Sequence, residues 1–286
     1  MPISLQQLVG RHRAEFAKAA RLQRKVLWAQ IGIAFAAGAA VFITHPVGAY
    51  LAAVGTLALV GLWAWLGWSY QETRSQAERA RRAILLIDGL GENISSSELR
   101  NLEVHFTTSP EEGSQYEDQN YYAARAIPGD ERLAEMLEES AFWSADLMHE
   151  SAKRAWLYCI VYSIVGVSLL FLSVPFFDAE RLLGAARVLC AYMTLLVSTE
   201  VLGAALNYGS AARSLNALLP RFEAVRASHF PRSDLLLLFL DYNAAIEGAP
   251  MFIPGLYEKR RALLNELWNN RQPQLANQDA PGSNES

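Results

Sequence analysis

Long apolar runs alternate along this chain with charged stretches of helical periodicity. A helix needs about 20 mostly apolar residues to cross the hydrocarbon of a bilayer, because every backbone amide there must be paired within the segment. Four stretches meet that length: Val26 to Thr44, Val47 to Tyr70, Ala155 to Phe177 and Leu182 to Leu206. The first two hold no Asp, Glu, Lys or Arg and are joined by His45-Pro46, which predicts a tight helical hairpin. The third and fourth predict another. Between and around them the pattern predicts a basic leader helix over 1–25, a helical insert over 71–154, C-terminal helices over 207–271 and a disordered tail over 272–286. Within the insert, Gln71 to Ile87 extends the second span and Glu131 to Arg154 leads into the third. The tip from Ser95 to Gly129, broken by Pro110, Gly113, Pro128 and Gly129, reads as irregular. After the fourth span come Ser210 to Arg226, interrupted at Pro220, then Leu235 to Glu247 and Tyr257 to Asn270. The fold class expected is all-α: an integral membrane protein of two transmembrane hairpins with a helical cytoplasmic portion.

Composition strengthens the membrane reading, since 52% of residues are hydrophobic and 19% charged. Orientation follows from the positive-inside rule. Arg11, Arg13, Lys18, Arg21, Arg24 and Lys25 precede the first span, Arg74, Arg79, Arg81 and Arg82 follow the second, and Lys153 and Arg154 precede the third. Only Arg181 and Arg187, of 25 Lys and Arg, fall on the opposite side. Trp28, Trp63, Trp65, Trp68, Tyr70, Trp156 and Tyr158 gather at the basic ends, as an interfacial aromatic belt does. Both termini are therefore expected in the cytoplasm. The apolar run continues through Val41-Phe42-Ile43 past the small residues Gly38, Ala39 and Ala40, which fits an uncleaved helix better than a signal peptide. A net charge of −4 argues against duplex nucleic acid as partner.

Catalytic signatures are weak throughout. Gly89-Leu90-Gly91 lacks the third glycine of a dinucleotide fingerprint, and no nucleophile elbow or zinc-protease motif is present, so no enzyme activity, catalytic residue or cofactor is expected. Cys159 and Cys190 are assigned to opposite ends of their spans and cannot bond to each other. Asp146, His149 and Glu150 share a helix face at metal-compatible spacing, but such a set is more often solvated, and no metal site is assigned. Glu200 lies inside the fourth span beside Thr199 and Thr194. A carboxylate at that depth faces a bundle interior, an aqueous path or a partner cation, so these three are the candidate pore-lining residues; the alternative is that Glu200 snorkels to the near boundary. The basic membrane-proximal residues suit anionic lipid. A sharper reading places Arg79, Arg81 and Arg82 in a site for an anionic ligand such as a nucleotide phosphate, with Arg213 or Arg221 from the helix after span four and Tyr242 or Asn243 for a base.

Small residues at helical spacing, Gly32, Ala36 and Ala40 with Gly48 and Ala52, allow close helix packing within one chain or between subunits. The order of leader, hairpin, insert entered through Arg79, Arg81 and Arg82, second hairpin and closing segment resembles the four-transmembrane effectors of bacterial anti-phage systems encoded beside nucleotidyltransferases, the SMODS-associated and Hailong-type families. The segment Asp241-Tyr242-Asn243, Ala249-Pro250, Ile253-Pro254, Tyr257 and Leu264-Asn265-Glu266-Leu267-Trp268 is similar in style to theirs. That resemblance implies a homo-oligomer, taken first as a tetramer, that forms a pore or channel controlled by a cyclic or linear oligonucleotide from the partner enzyme and disrupts the membrane on activation. The alternative is a non-conducting scaffold that binds a soluble partner, with Tyr116, Tyr121 and Tyr122 among the acids of the insert as its surface.

Overall fold

The computed structural model describes residues 3–40, 43, 45–118, 121–173 and 201–278, and every regular element among them is helical. In chain order these are α1 (Leu5–Ala40), α2 (Pro46–Ile84) with a single π-helical turn (Leu85–Gly89), α3 (Ser96–His105), α4 (Pro110–Ser114), α5 (Asp130–Ser173), α6 (Val201–Ala227), α7 (Arg232–Glu247) and α8 (Leu256–Gln278).

Local chemistry sets several of these boundaries. The π-turn after α2 is followed by Gly91 at φ 71°, a left-handed position that side chains rarely adopt, and a Cβ there would lie 2.9 Å from Pro128 Cβ. Ser95 starts α3 by accepting a hydrogen bond from the Glu98 amide at 3.2 Å. A complete capping box starts α4: the Glu112 amide donates to the Ser109 hydroxyl and the Ser109 amide to the Glu112 carboxylate, with Pro110 in the first turn. Two helices therefore occupy the tip that its prolines and glycines predict to be irregular. Pro220 sits inside α6 without ending it. Its missing N–H costs one bond of the ladder, and Pro220 itself lies on an exposed position of the helix. At the other end, α8 runs to Gln278, seven residues into the stretch read from composition as a disordered tail.

Two units divide the chain: Met1–Ala14, Gln76–Ser151 and Asn207–Ser286 form one, Glu15–Ser75 and Ala152–Leu206 the other. The first is a helical core unit. Leu133, Met136, Leu137 and Ala141 of α5, Leu215, Leu218 and Phe222 of α6, and Leu235, Leu238 and Tyr242 of α7 are buried at the three- and four-residue spacing that makes one face of a helix apolar. Each large side chain so buried contributes about 1.5 to 3 kcal/mol. Leu8 and Val9 of α1, Ala80, Ala83 and Ile84 of α2 and Leu102 of α3 form one cluster, and Leu147, Leu256 and Leu264 another. Glu138, 1% exposed, fastens three helices: Arg226 of α6 reaches it at 2.5 Å and Arg271 of α8 at 3.1 Å, while Arg271 also takes Glu223 at 2.8 Å.

The second unit has the opposite surface. Trp28, Phe35, Tyr50, Leu51, Val54, Leu57, Trp65 and Trp68 are exposed on α1 and α2, as are Trp156, Leu157, Ile160, Ile164 and Phe171 on α5. The Pro46–Gly89 helix contains an 18-residue window of mean hydropathy 1.8, none of it buried, and is the one helix among the described residues long and apolar enough to cross a membrane. The described residues omit 41, 42 and 44 of the first expected span, the end of the third and nearly all of the fourth. Glu200, Thr199 and Thr194 lie outside the described residues with it. Gly32, expected on a packing face, has nothing within 4 Å of a Cβ built on it.

Candidate functional site

Arg79, Arg81 and Arg82 occupy the last turns of α2, where the helix dipole favours cations. Spacings of one, two and three residues fan the three guanidinium groups around the helix, and each finds a different partner in the core unit. Arg79 pairs with Glu98 of α3 at 3.2 Å. Arg82 pairs with Glu247 at the end of α7. Arg81, 8% exposed, pairs with Glu78 on its own helix at 2.9 Å, donates to the Asn243 side-chain carbonyl at 3.0 Å and to the Tyr242 hydroxyl at 3.3 Å, and lies 5.0 Å from the centre of the Tyr242 ring. Burial alone would push the Arg81 guanidinium down, yet Tyr242 and Glu78, with Tyr122 and Glu247 further off, hold it above its ordinary value. It stays charged. Asn243 also donates to the Phe239 carbonyl at 2.7 Å, which fixes the orientation of its amide.

The structure thus brings together Arg81, Tyr242 and Asn243 of the expected ligand set, and uses them as a latch between α2 and α7. Arg221 is elsewhere, paired with Asp241 across α6 and α7 at 2.6 Å. That pair borders a groove of about 510 Å³ lined by Ser210, Ser214, Ala217 and Ala244. Arg213 is exposed and extends back along α6, where a Cβ on Gly209 would lie 3.6 Å from its guanidinium. Asp146, weighed as a metal ligand, is held by Arg260 at 2.5 and 2.7 Å.

Several contributors carry no sequence signal of their own. His12 is 2% exposed beside the latch, and burial, then Arg81 and Arg13, push its imidazole down to about 3, so it is neutral near pH 7. Its ring meets Tyr121 edge-on at 5.8 Å, and Tyr121 meets Tyr122 at 4.8 Å. The segment carrying both tyrosines is strapped to α5. Glu139 accepts from the Ala123 amide at 3.0 Å, Glu135 from the Arg125 and Ala126 amides at 3.1 and 3.3 Å, and Arg132 donates to the Ala124 and Ala126 carbonyls at 2.9 and 3.1 Å. Burial, with Glu135 adding to it and the Ala123 amide opposing, pushes the Glu139 carboxyl up to about 7. Tyr121 and Tyr122 of the expected interaction surface meet each other beside His12, with Tyr121 still 36% exposed.

No family model, curated protein or solved structure matches this chain.

Proposed function

We propose that the chain is a multi-pass effector of the bacterial inner membrane in anti-phage defence, an oligomeric pore or ion channel whose opening is controlled by a nucleotide made by a partner nucleotidyltransferase. One observation carries the membrane part: the apolar window of α2 is wholly unburied, and the large side chains of α1, α2 and α5 around it point outward. Soluble monomers rarely expose contiguous apolar patches beyond a few hundred Å², whereas a bilayer demands them. The four-span topology with both termini in the cytoplasm extends that reading to the remaining apolar runs.

Control by a ligand is supported by the latch. A nucleotide phosphate has the charge and geometry to replace Glu98 and Glu247 on the half-exposed Arg79 and Arg82, and a base has Tyr242 and Asn243 beside them. Glu200, with Thr199 and Thr194, is the proposed pore lining. A second reading, a non-conducting scaffold, is favoured by the internal pairing of Arg79, Arg81, Arg82 and Arg221, which leaves none of them waiting for a ligand. Planar-bilayer recording of the purified chain with a panel of cyclic and linear oligonucleotides separates the two. Ligand-dependent conductance that Glu200→Gln reduces supports the effector; silence under every nucleotide supports the scaffold.

A further inference from the structure

The second unit contains a group of exposed cations gathered on one helix face. Its described residues hold seven Lys and Arg against two acids, Glu15 and Glu72, of which Glu15 is fully buried. Arg21, Arg24 and Lys25 are exposed on α1 at three- and four-residue spacing, so they share one face, and among the described residues no acid forms an ion pair with any of them. In the core unit Arg221 pairs with Asp241 and Arg232 with Glu92. The same face of α1 continues one turn later into Trp28, 70% exposed, and then Ile31 and Phe35. Lys25 and Trp28 are about 4.5 Å apart along the axis. α5 repeats the order within this unit: exposed Lys153 comes one turn before exposed Trp156, followed on the same face by Leu157, Ile160 and Ile164.

Cation, then indole, then aliphatic side chains is the order of polarity met on passing from phosphate through the glycerol region into acyl chains. We propose that Arg21, Arg24 and Lys25, backed by Trp28, form a binding surface for the phosphate headgroups of anionic phospholipids. This rests on the membrane reading above and assigns to these three residues a partner distinct from the nucleotide. The long side chains supply several N–H donors to a phosphodiester, and Trp28 holds the helix at the depth where they meet it.

Native mass spectrometry of the full chain from mild detergent, titrated with phosphatidylglycerol or phosphatidylcholine of matched acyl chains, tests this. The parent is expected to retain phosphatidylglycerol preferentially, with a preference that declines as salt rises. An Arg21→Gln, Arg24→Gln, Lys25→Gln variant should lose retention by about 5-fold per charge removed, and the charge-conserving Arg21→Lys, Arg24→Lys variant should keep it. Equal binding of the two lipids by the parent, or unchanged preference in the glutamine variant, overturns the proposal. So does displacement of phosphatidylglycerol by millimolar inorganic phosphate, which would make the surface a free-anion site. Alkaline carbonate extraction of cell membranes keeps the two readings apart. Release of the parent sinks the membrane reading and this proposal together, whereas retention without lipid preference sinks the proposal alone.

Discussion

Glu138 shows most directly how single residues hold the core unit. Its carboxylate is shared by Arg226 and Arg271 in a nearly water-free position, so removing its charge takes a counter-ion from two guanidinium groups at once, of which Arg271 keeps Glu223. Glu138→Gln should lower unfolding stability by about 3 kcal/mol, measurable by thermal or denaturant melts of the detergent-solubilised protein. Glu139, one residue on, answers to pH instead. Its folded-state carboxyl titrates at about 7 against an ordinary 4.5, so the stability it confers is complete below about 4.5, declines as pH rises and is gone above 7. His12 works in the other direction. Its imidazole is held down at about 3 from 6.5, so its contribution is complete above 6.5 and falls away in acid. Between pH 4.5 and 6.5 the two oppose each other. Glu139→Gln should therefore steepen the loss of melting temperature on acidification from pH 6.5 to 4.5; an unchanged slope would show that this carboxyl is not held neutral. Little of this was legible in the sequence, because a buried histidine and a strap of backbone hydrogen bonds leave no spacing to read. Arg81, Tyr242 and Asn243 were legible as a set because their types suit one another, but whether such a set binds a ligand or closes on itself depends on Glu78 and on the packing of α7.

At the level of elements, the glycines separate two kinds of helix surface. Gly10 of α1 lies so close to α4 that an added Cβ would come within 2.5 Å of the Gly113 carbonyl oxygen, whereas Gly55 and Gly61 of α2 have nothing within 4 Å. Gly10→Ala must push backbone apart and should cost about 1 to 3 kcal/mol. Gly55→Ala and Gly61→Ala should be neutral or slightly stabilising through helix propensity, by about 0.5 to 1 kcal/mol. Comparative melts of the three variants check the contrast, and a large loss at Gly55 or Gly61 would reveal a neighbour from a second copy. The turn from α6 to α7 places two non-glycine residues, His229 and Phe230, at φ 58° and 56°. Relaxing it with His229→Gly should raise the melting temperature. Helix periodicity was readable from the sequence over every long element, since apolar faces repeat in it directly. The tip and Pro220 depart from expectation for one reason: proline and glycine mark positions of special backbone geometry, and a capping box or an exposed helix position accommodates that geometry inside helical structure.

For the whole molecule, reporter fusions at the C-terminus and within 95–129 should both read cytoplasmic under the proposed topology, and a periplasmic signal from either would overturn it. Composition and the charge bias of the chain carried that expectation, while the partners of the arginines lay too far away in sequence to be seen. That distance has a consequence for how the protein is made. Arg82 stands 165 positions before its partner Glu247, and Arg81 stands 162 before Asn243. At a synthesis rate of about 5 to 20 residues per second, the arginines of α2 wait on the order of 10 to 30 s on the ribosome-bound chain before α7 exists. The core unit is thus translated in three instalments with apolar segments between them, and its latch can close only once the third has begun to emerge. A chain released before residue 242 would carry every hydrophobic run and none of α7's contacts with Arg81 and Arg82, so the fastening of α2 doubles as a check that translation reached the C-terminal helices.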